Sequence, residues 1–241
     1  SSDVCSSDLM LTQMFIECGM DPSAVIGGKL EAIGGSGRLG NSEVMVCEAC
    51  EFEDHFLKFH PDIAVVLNVD ADHMEYFKTM DHVLDSYHRF AAMATKAVIY
   101  NGDDANSCRA VQGIEGVKLL CFGMGEDNDY HACNIRHVDG RHTLYDLYYK
   151  QERLGQVKLN VPGEHNVLNS MAAVAAAIES GCQTQRAVES VSAFQGAGRR
   201  FEIMGTNKGV TIADDYGHHP AEIEVTLKAA KQMRYRQDRK S

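Results

Sequence analysis

The sequence predicts an α/β fold, with a mostly parallel sheet flanked by helices and then the start of a second domain. Three observations carry this. Helical and β-branched segments alternate through the first half of the chain; the run "IAVVLNV" at residues 63–69 is apolar without alternation, as a strand covered on both faces is; and the composition changes at "FQGAGRRFE". The change places a boundary near Gln195 to Gly198. Residues 10–195 then form a central domain and residues 196–241 the beginning of the next. Residues 1–9, "SSDVCSSDL", are polar, resemble translated sequencing-adapter read-through and are read as a non-native leader.

In order, the spacing of apolar residues predicts a helix over residues 10–18, a short apolar segment "AVIGG", a glycine-rich loop, and the strand "VMVCEA". The strand at 63–69 follows the turn "KFHPD". A helix over about 80–95, the strand "KAVIYN" and the turn "GDD" complete a βαβ rhythm. Between 117 and 161 the segments "KLLCF", "HTLYDLYY" and "GQVKLNV" suit strands added at a sheet edge. A helix then starts after Pro162-Gly163, with Leu168, Met171, Ala175 and Ile178 spaced as one buried stripe. Past the boundary, "RRFEIMG" and "GVTIADDYG" read as two strands joined by "TNKG". "PAEIEVTLKAAKQM" reads as a helix with Pro220 at its first turn. The polar cluster "DDYGHHP" therefore falls in a strand-to-helix loop, where open α/β sheets bind ligands.

The formal charge of −11 argues against a surface built to collect nucleic-acid phosphates or anionic lipid. No apolar run approaches the roughly 20 residues that span a bilayer, and no signal-peptide pattern opens the chain, so a cytoplasmic location is expected. The eight cysteines lie scattered, mostly in apolar segments, as reduced thiols do. Cys47 and Cys50 lack the second pair that a zinc site needs.

"GGSGRLGNS" has glycines (Gly35, Gly40) at phosphate-loop spacing, but Asn41 stands where that motif requires lysine and a strand follows, so it reads as a flexible loop. Glu48 ends one strand and His73 follows another. If the two strands are neighbours, a carboxylate and an imidazole share one edge and suit a divalent metal; otherwise both are solvated edge residues. His165 and Asn166 open a helix, placed either to meet a ligand or to cap. Arg199 and Arg200 follow the linker, either solvated or reaching back to a phosphate.

The motifs "EACE", "LNVDADHMEYF", "VPGEHNVLNSMAA", "FQGAGRRFE" and "DDYGHHPAEI", in this order, resemble the Mur ligase family over residues 10–236. Within it the double histidine after Tyr-Gly is similar to the members that join L-alanine to UDP-N-acetylmuramate. The alternative in the same family is the muropeptide-recycling ligase. The resemblance implies a central ATP-binding domain that lacks its phosphate loop here and the start of a Rossmann-like C-terminal domain. On that reading the chain is an internal fragment, inactive alone. It implies ATP and Mg2+ as cofactors, and UDP-N-acetylmuramate and L-alanine as small-molecule substrates. Glu48 and His73 would serve magnesium, His165, Asn166 and Asn169 the adenine side, and Asp215 the ribose. Arg200, with Arg199 as second choice, would approach the phosphates, and Tyr216 and His218 the alanine pocket. Two other classes remain open from the residues: a metal-dependent phosphohydrolase using Asp70, Asp72, His73 and the histidines at 218 and 219, and a non-catalytic nucleotide-binding module.

Overall fold

A computed structural model describes residues 6–138, 142–196, 202–215 and 220–232. Its main sheet has six strands in strictly sequential order, β4 (Ile63–Val66), β5 (Ala97–Asn101), β6 (Lys118–Gly123), β7 (Tyr130–Val138), β8 (His142–Tyr149) and β9 (Glu152–Leu159). Strands β4 to β7 run parallel, and β8 and β9 add antiparallel. Because side chains alternate along a strand, β5 feeds two cores. Ile99 joins α1 (Ser6–Glu17) and α5 (Glu164–Glu179) on one face, and Val98 joins Phe90 and Ala91 of α3 (Met80–Ala92) and Phe56 on the other.

Several elements differ from the sequence expectation. The first helix begins at Ser6, inside the segment set aside as leader, and it buries Leu9 fully beside Met10 and Met14. Half of the glycine-rich loop is strand: β2 (Gly35–Arg38) pairs antiparallel with β1 (Ser23–Leu30). The cause is a side-chain anchor, since Asp21 takes an ion pair from Arg38 and hydrogen bonds of 2.9 Å from the backbone and side-chain nitrogens of Asn41. Helix α5 carries more than a stripe. Met171 and Ala175 are buried as expected and Leu168 and Ile178 only partly, but Val167 and every residue from Ala172 to Ala177 are buried too. The helix is packed between α1 and the sheet, and its alanines let both approach closely.

The strand "VMVCEA" is short, β3 (Met45–Cys47), and it pairs with β1 in a separate three-stranded sheet rather than with β4. Strand β7 and helices α4 (Ala105–Val111) and α6 (Thr184–Ser190) have no counterpart in the sequence expectation. The C-terminal elements follow the sequence closely. Strands β10 (Glu202–Asn207) and β11 (Val210–Asp214) form a hairpin whose two turn residues, Lys208 and Gly209, both have positive φ, and α7 runs over Pro220–Gln232. Among the described residues no helix is long and apolar enough to cross a membrane.

Candidate functional site

Parallel strands deliver their following loops to one edge of a sheet. The segment after β4 is held there by the start of α4: the Asp104 carboxylate, at its N-cap, accepts from the Val69 N–H at 3.0 Å, and the Asn106 amide, in its first turn, donates to the Val69 carbonyl at 3.0 Å. The chain then turns sharply. The Asp72 carboxylate accepts from the His73 N–H at 2.7 Å, and His73 itself sits in the left-handed region (φ 52°) just before α2 (Met74–Phe77). That conformation is uncommon for a residue with a Cβ and marks a position held by its surroundings.

The turn brings three ligand-type side chains together. One donor atom each of Glu51, Asp72 and His73 lies within 4.8 Å of the others. His73 Nε2 is 3.9 Å from Glu51 Oε1 and from Asp72 Oδ2, while its Nδ1 is 3.5 Å from Glu75 Oε1. Glu51 is buried, and the ring of Phe52 lies 4.9 Å from that of His73, so one side of the group is dry. Two carboxylates and an imidazole suit a divalent cation that takes oxygen ligands and tolerates one nitrogen. The turn holding Glu51 is set by Asp54, whose carboxylate accepts from the Tyr76 hydroxyl at 2.8 Å and from the Ser86 hydroxyl. Burial works against the charge of Asp54, but these two hydroxyls, with Arg89 and His82 nearby, hold its carboxyl below the usual range.

Glu48, the partner expected for His73, lies outside that group. Its carboxylate covers Gly27, where a Cβ would fall 2.1 Å from Glu48 Oε2. Beside it Asp8 accepts from the Gly27 N–H, and burial, then the charge of Glu48, push the Asp8 carboxyl up to about 7. Burial and the same two carboxylates raise the Cys47 thiol. Glu51 was the residue that sequence reasoning missed. The signal was its place three residues after Glu48 in "EACE", past a strand that ends earlier than the apolar run implies.

The second group lies at the start of α5. Gly163 adopts φ 97°, and His165 folds back over it so closely that a Cβ there would fall 2.4 Å from His165 Cε1. The Asn166 amide donates to the Pro162 carbonyl at 2.7 Å, while its Oδ1 is buried with no partner among the described residues. An unfilled buried acceptor is costly unless a donor arrives from elsewhere. Asn169 stands one turn on, half-buried, on the same face. Asp215, just past β11, accepts from the Thr226 hydroxyl at 3.1 Å. Arg199, Arg200, Tyr216 and His218 lie outside the described residues.

A cation-type cluster after a strand of the parallel sheet and a buried acceptor at a helix start are the two groups of this α/β domain whose chemistry suits a ligand. Comparison with known proteins identifies the family. Residues 36–177 match the Mur ligase middle domain, and residues 199–240 match the glutamate ligase domain of Mur ligases. The chain belongs to the Mur ligase family. It is 41% identical over 92% of its length to a UDP-N-acetylmuramate--L-alanine ligase of Caldanaerobacter subterraneus subsp. tengcongensis, 48% of which it covers. Among solved structures it is similar to the UDP-N-acetylmuramate-alanine ligase of Thermotoga maritima, with a TM-score of 0.83, 24% identity, and coverage of 97% of this chain and 53% of that one. A MurF ligase from Thermotoga maritima in complex with ADP has the same fold, with a TM-score of 0.77, 19% identity, and coverage of 96% of this chain and 55% of that one. The chain thus spans about half the length of the curated relatives it matches.

Proposed function

We propose that this chain carries the middle and first C-terminal parts of a cytoplasmic ATP-dependent ligase that joins L-alanine to the lactyl carboxylate of UDP-N-acetylmuramate. The observation that carries the reading is the 41% identity, across 92% of the chain, to a ligase named for that reaction. In such a ligation a carboxylate attacks the terminal phosphate of ATP, and the amine then displaces phosphate from the acyl phosphate. The protein's contribution is mainly positioning and charge neutralisation.

The residues divide that work. His73, with Glu51 and Asp72 beside it, would hold a divalent cation, whose chemistry is to offset the charge of triphosphate set against carboxylate. Glu48 remains a candidate for the same role from its place in the motif. The unfilled Oδ1 of Asn166 would accept from the adenine amino group, with His165 and Asn169 along the same helix start. Asp215 would meet the ribose, Arg200 or Arg199 the phosphates, and Tyr216 and His218 the alanine side.

The test is to express the reading frame extended to the length of its relatives and to measure phosphate release from ATP. Release that requires both UDP-N-acetylmuramate and L-alanine is expected. Release supported by the free peptide L-alanyl-γ-D-glutamyl-meso-diaminopimelate in place of L-alanine assigns the recycling reaction instead, and release that needs neither acceptor sinks the ligase reading. In the same protein, His73→Ala is expected to weaken Mn2+ binding by about tenfold or more, measured by titration calorimetry.

A further inference from the structure

Two helix ends meet through sulfur. Helices α1 and α5 stop with the same local pattern, Ile16-Glu17-Cys18-Gly19-Met20 and Ile178-Glu179-Ser180-Gly181-Cys182. In each, the glycine has positive φ, 76° at Gly19 and 99° at Gly181. Its N–H donates three residues back, Gly19 to Ile16 at 2.9 Å and Gly181 to Ile178 at 2.9 Å. The next N–H donates five back, Met20 to Phe15 at 2.8 Å and Cys182 to Ala177 at 3.0 Å. This doubly bonded glycine cap fixes the backbone on either side of the turn.

Because α1 packs along α5, the two caps face one another. The Cys182 Sγ lies 3.1 Å from the Met20 Sδ, and the Cys18 thiol, two residues before Met20 at the same cap, is close enough to disfavour ionisation of Cys182. The Arg186 guanidinium, on α6, donates to the Glu17 carbonyl at 3.0 Å and ties the two sides together. Cys182 is buried and Cys18 half-buried, and both are free thiols 164 residues apart in the chain.

We propose that Cys18 and Cys182 form a reversible disulfide when the protein meets a peroxide, cross-linking the C-terminal ends of α1 and α5. Burial, then the neighbouring Cys18 thiol, push the Cys182 thiol up to about 12, so the more accessible Cys18 reacts first. Its thiolate attacks one peroxide oxygen: an S–O bond forms, the O–O bond breaks, and the departing hydroxide takes up the proton lost by the Cys18 thiol. Cys18 is then a sulfenic acid. The Cys182 sulfur attacks the Cys18 sulfur, forming S–S and breaking S–O, and the Cys182 proton leaves with the hydroxyl as water. Two sulfurs are oxidised, and the peroxide ends as two waters. A dithiol reductant returns both thiols by exchange.

The folded chain is treated with hydrogen peroxide, blocked with iodoacetamide and digested without reductant for mass spectrometry. The expected product is a linked pair of peptides holding Cys18 and Cys182, lighter by two hydrogens than the reduced pair and lost on adding dithiothreitol. Cys18→Ala and Cys18→Ser abolish it, and Cys133→Ser retains it. The oxidised chain melts several degrees above the reduced one, and the Cys18 variants do not show the rise. Carbamidomethylation of both thiols after peroxide, with Met20 sulfoxide as the product instead, overturns the proposal. So does an equal yield of the cross-link in urea-unfolded chain, since proximity in the fold would then play no part.

Discussion

The central sheet and the C-terminal hairpin are built from similar sequence signals and end in opposite environments. In the first, Phe122, Tyr145, Leu147 and Val157 are entirely buried, and Tyr145 closes a buried hydrogen bond of 2.7 Å with Ser170. In the second, Met204, Val210 and Ile212 on the strands and Ile223 and Leu227 on α7 all stand exposed among the described residues. Local chemistry is sufficient to define the second set of elements: Lys208-Gly209 supplies the positive-φ turn and Pro220 the helix start. It does not supply burial. An isolated hairpin gains little stability until a third strand or a helix covers one of its faces, whereas the central sheet is covered by α1, α3 and α5. Element formation and stability therefore come from different parts of the sequence.

The comparison is broken most sharply by core truncation. Leu147→Ala should lower unfolding stability by about 3 kcal/mol in urea titration, because the cavity forms in a region that cannot collapse. Gly163→Ala comes next, at about 2 kcal/mol, since alanine strains at φ 97° and its Cβ displaces His165. The same variant should weaken binding of a non-hydrolysable ATP analogue in calorimetry, and unchanged affinity would detach His165 from the nucleotide reading.

Asp54→Asn is smaller, about 1 kcal/mol at neutral pH, for the weakened bonds to Tyr76 and Ser86. Its sign with pH follows from a carboxyl held below its ordinary 3.8. The stability that the charge contributes is complete above that value and is lost as pH falls through the folded-state value. The gap between wild type and variant should accordingly close in acid, and a gap independent of pH would remove the charge from the account. At the other end, Ile212→Ala on the exposed hairpin should shift stability by less than about 0.5 kcal/mol; a loss comparable to that of Leu147→Ala would show that the hairpin is covered after all.

Much of this architecture was legible because period and length are local properties. "KAVIYN" and the "TNKG" hairpin could be read directly, and so could the helix after Pro162-Gly163. Strand β7 escaped because its alternation breaks at a register shift between Cys133 and Arg136, where Asn134 takes φ 54°. The start of α1 escaped because Ser7 and Asp8 are polar yet buried. The candidate site was half legible. His73, His165 and Asn166 stand out by residue type at element ends. The grouping of Glu51 and Asp72 with His73 depends on left-handed backbone at Glu53, Asp54 and His73, which no propensity announces. Placing Glu48 there rested on taking β3 and β4 as neighbours, and they belong to different sheets.

The strictly sequential order of β4 to β9 has a consequence for synthesis. Each strand hydrogen-bonds to the one made just before it, so no later strand has to insert between two that are already paired. The sheet can extend at a single growing edge as the polypeptide leaves the ribosome, N-terminal part first. Strands β7 to β9 need only short connections, which keeps the entropy of closing each new pair low. Helix α5 is translated next and covers that face of the sheet, meeting α1, which precedes all six strands in the chain. Pulse-labelled ribosome-bound chains should therefore show sheet protection advancing with length before the α1 and α5 amides become protected.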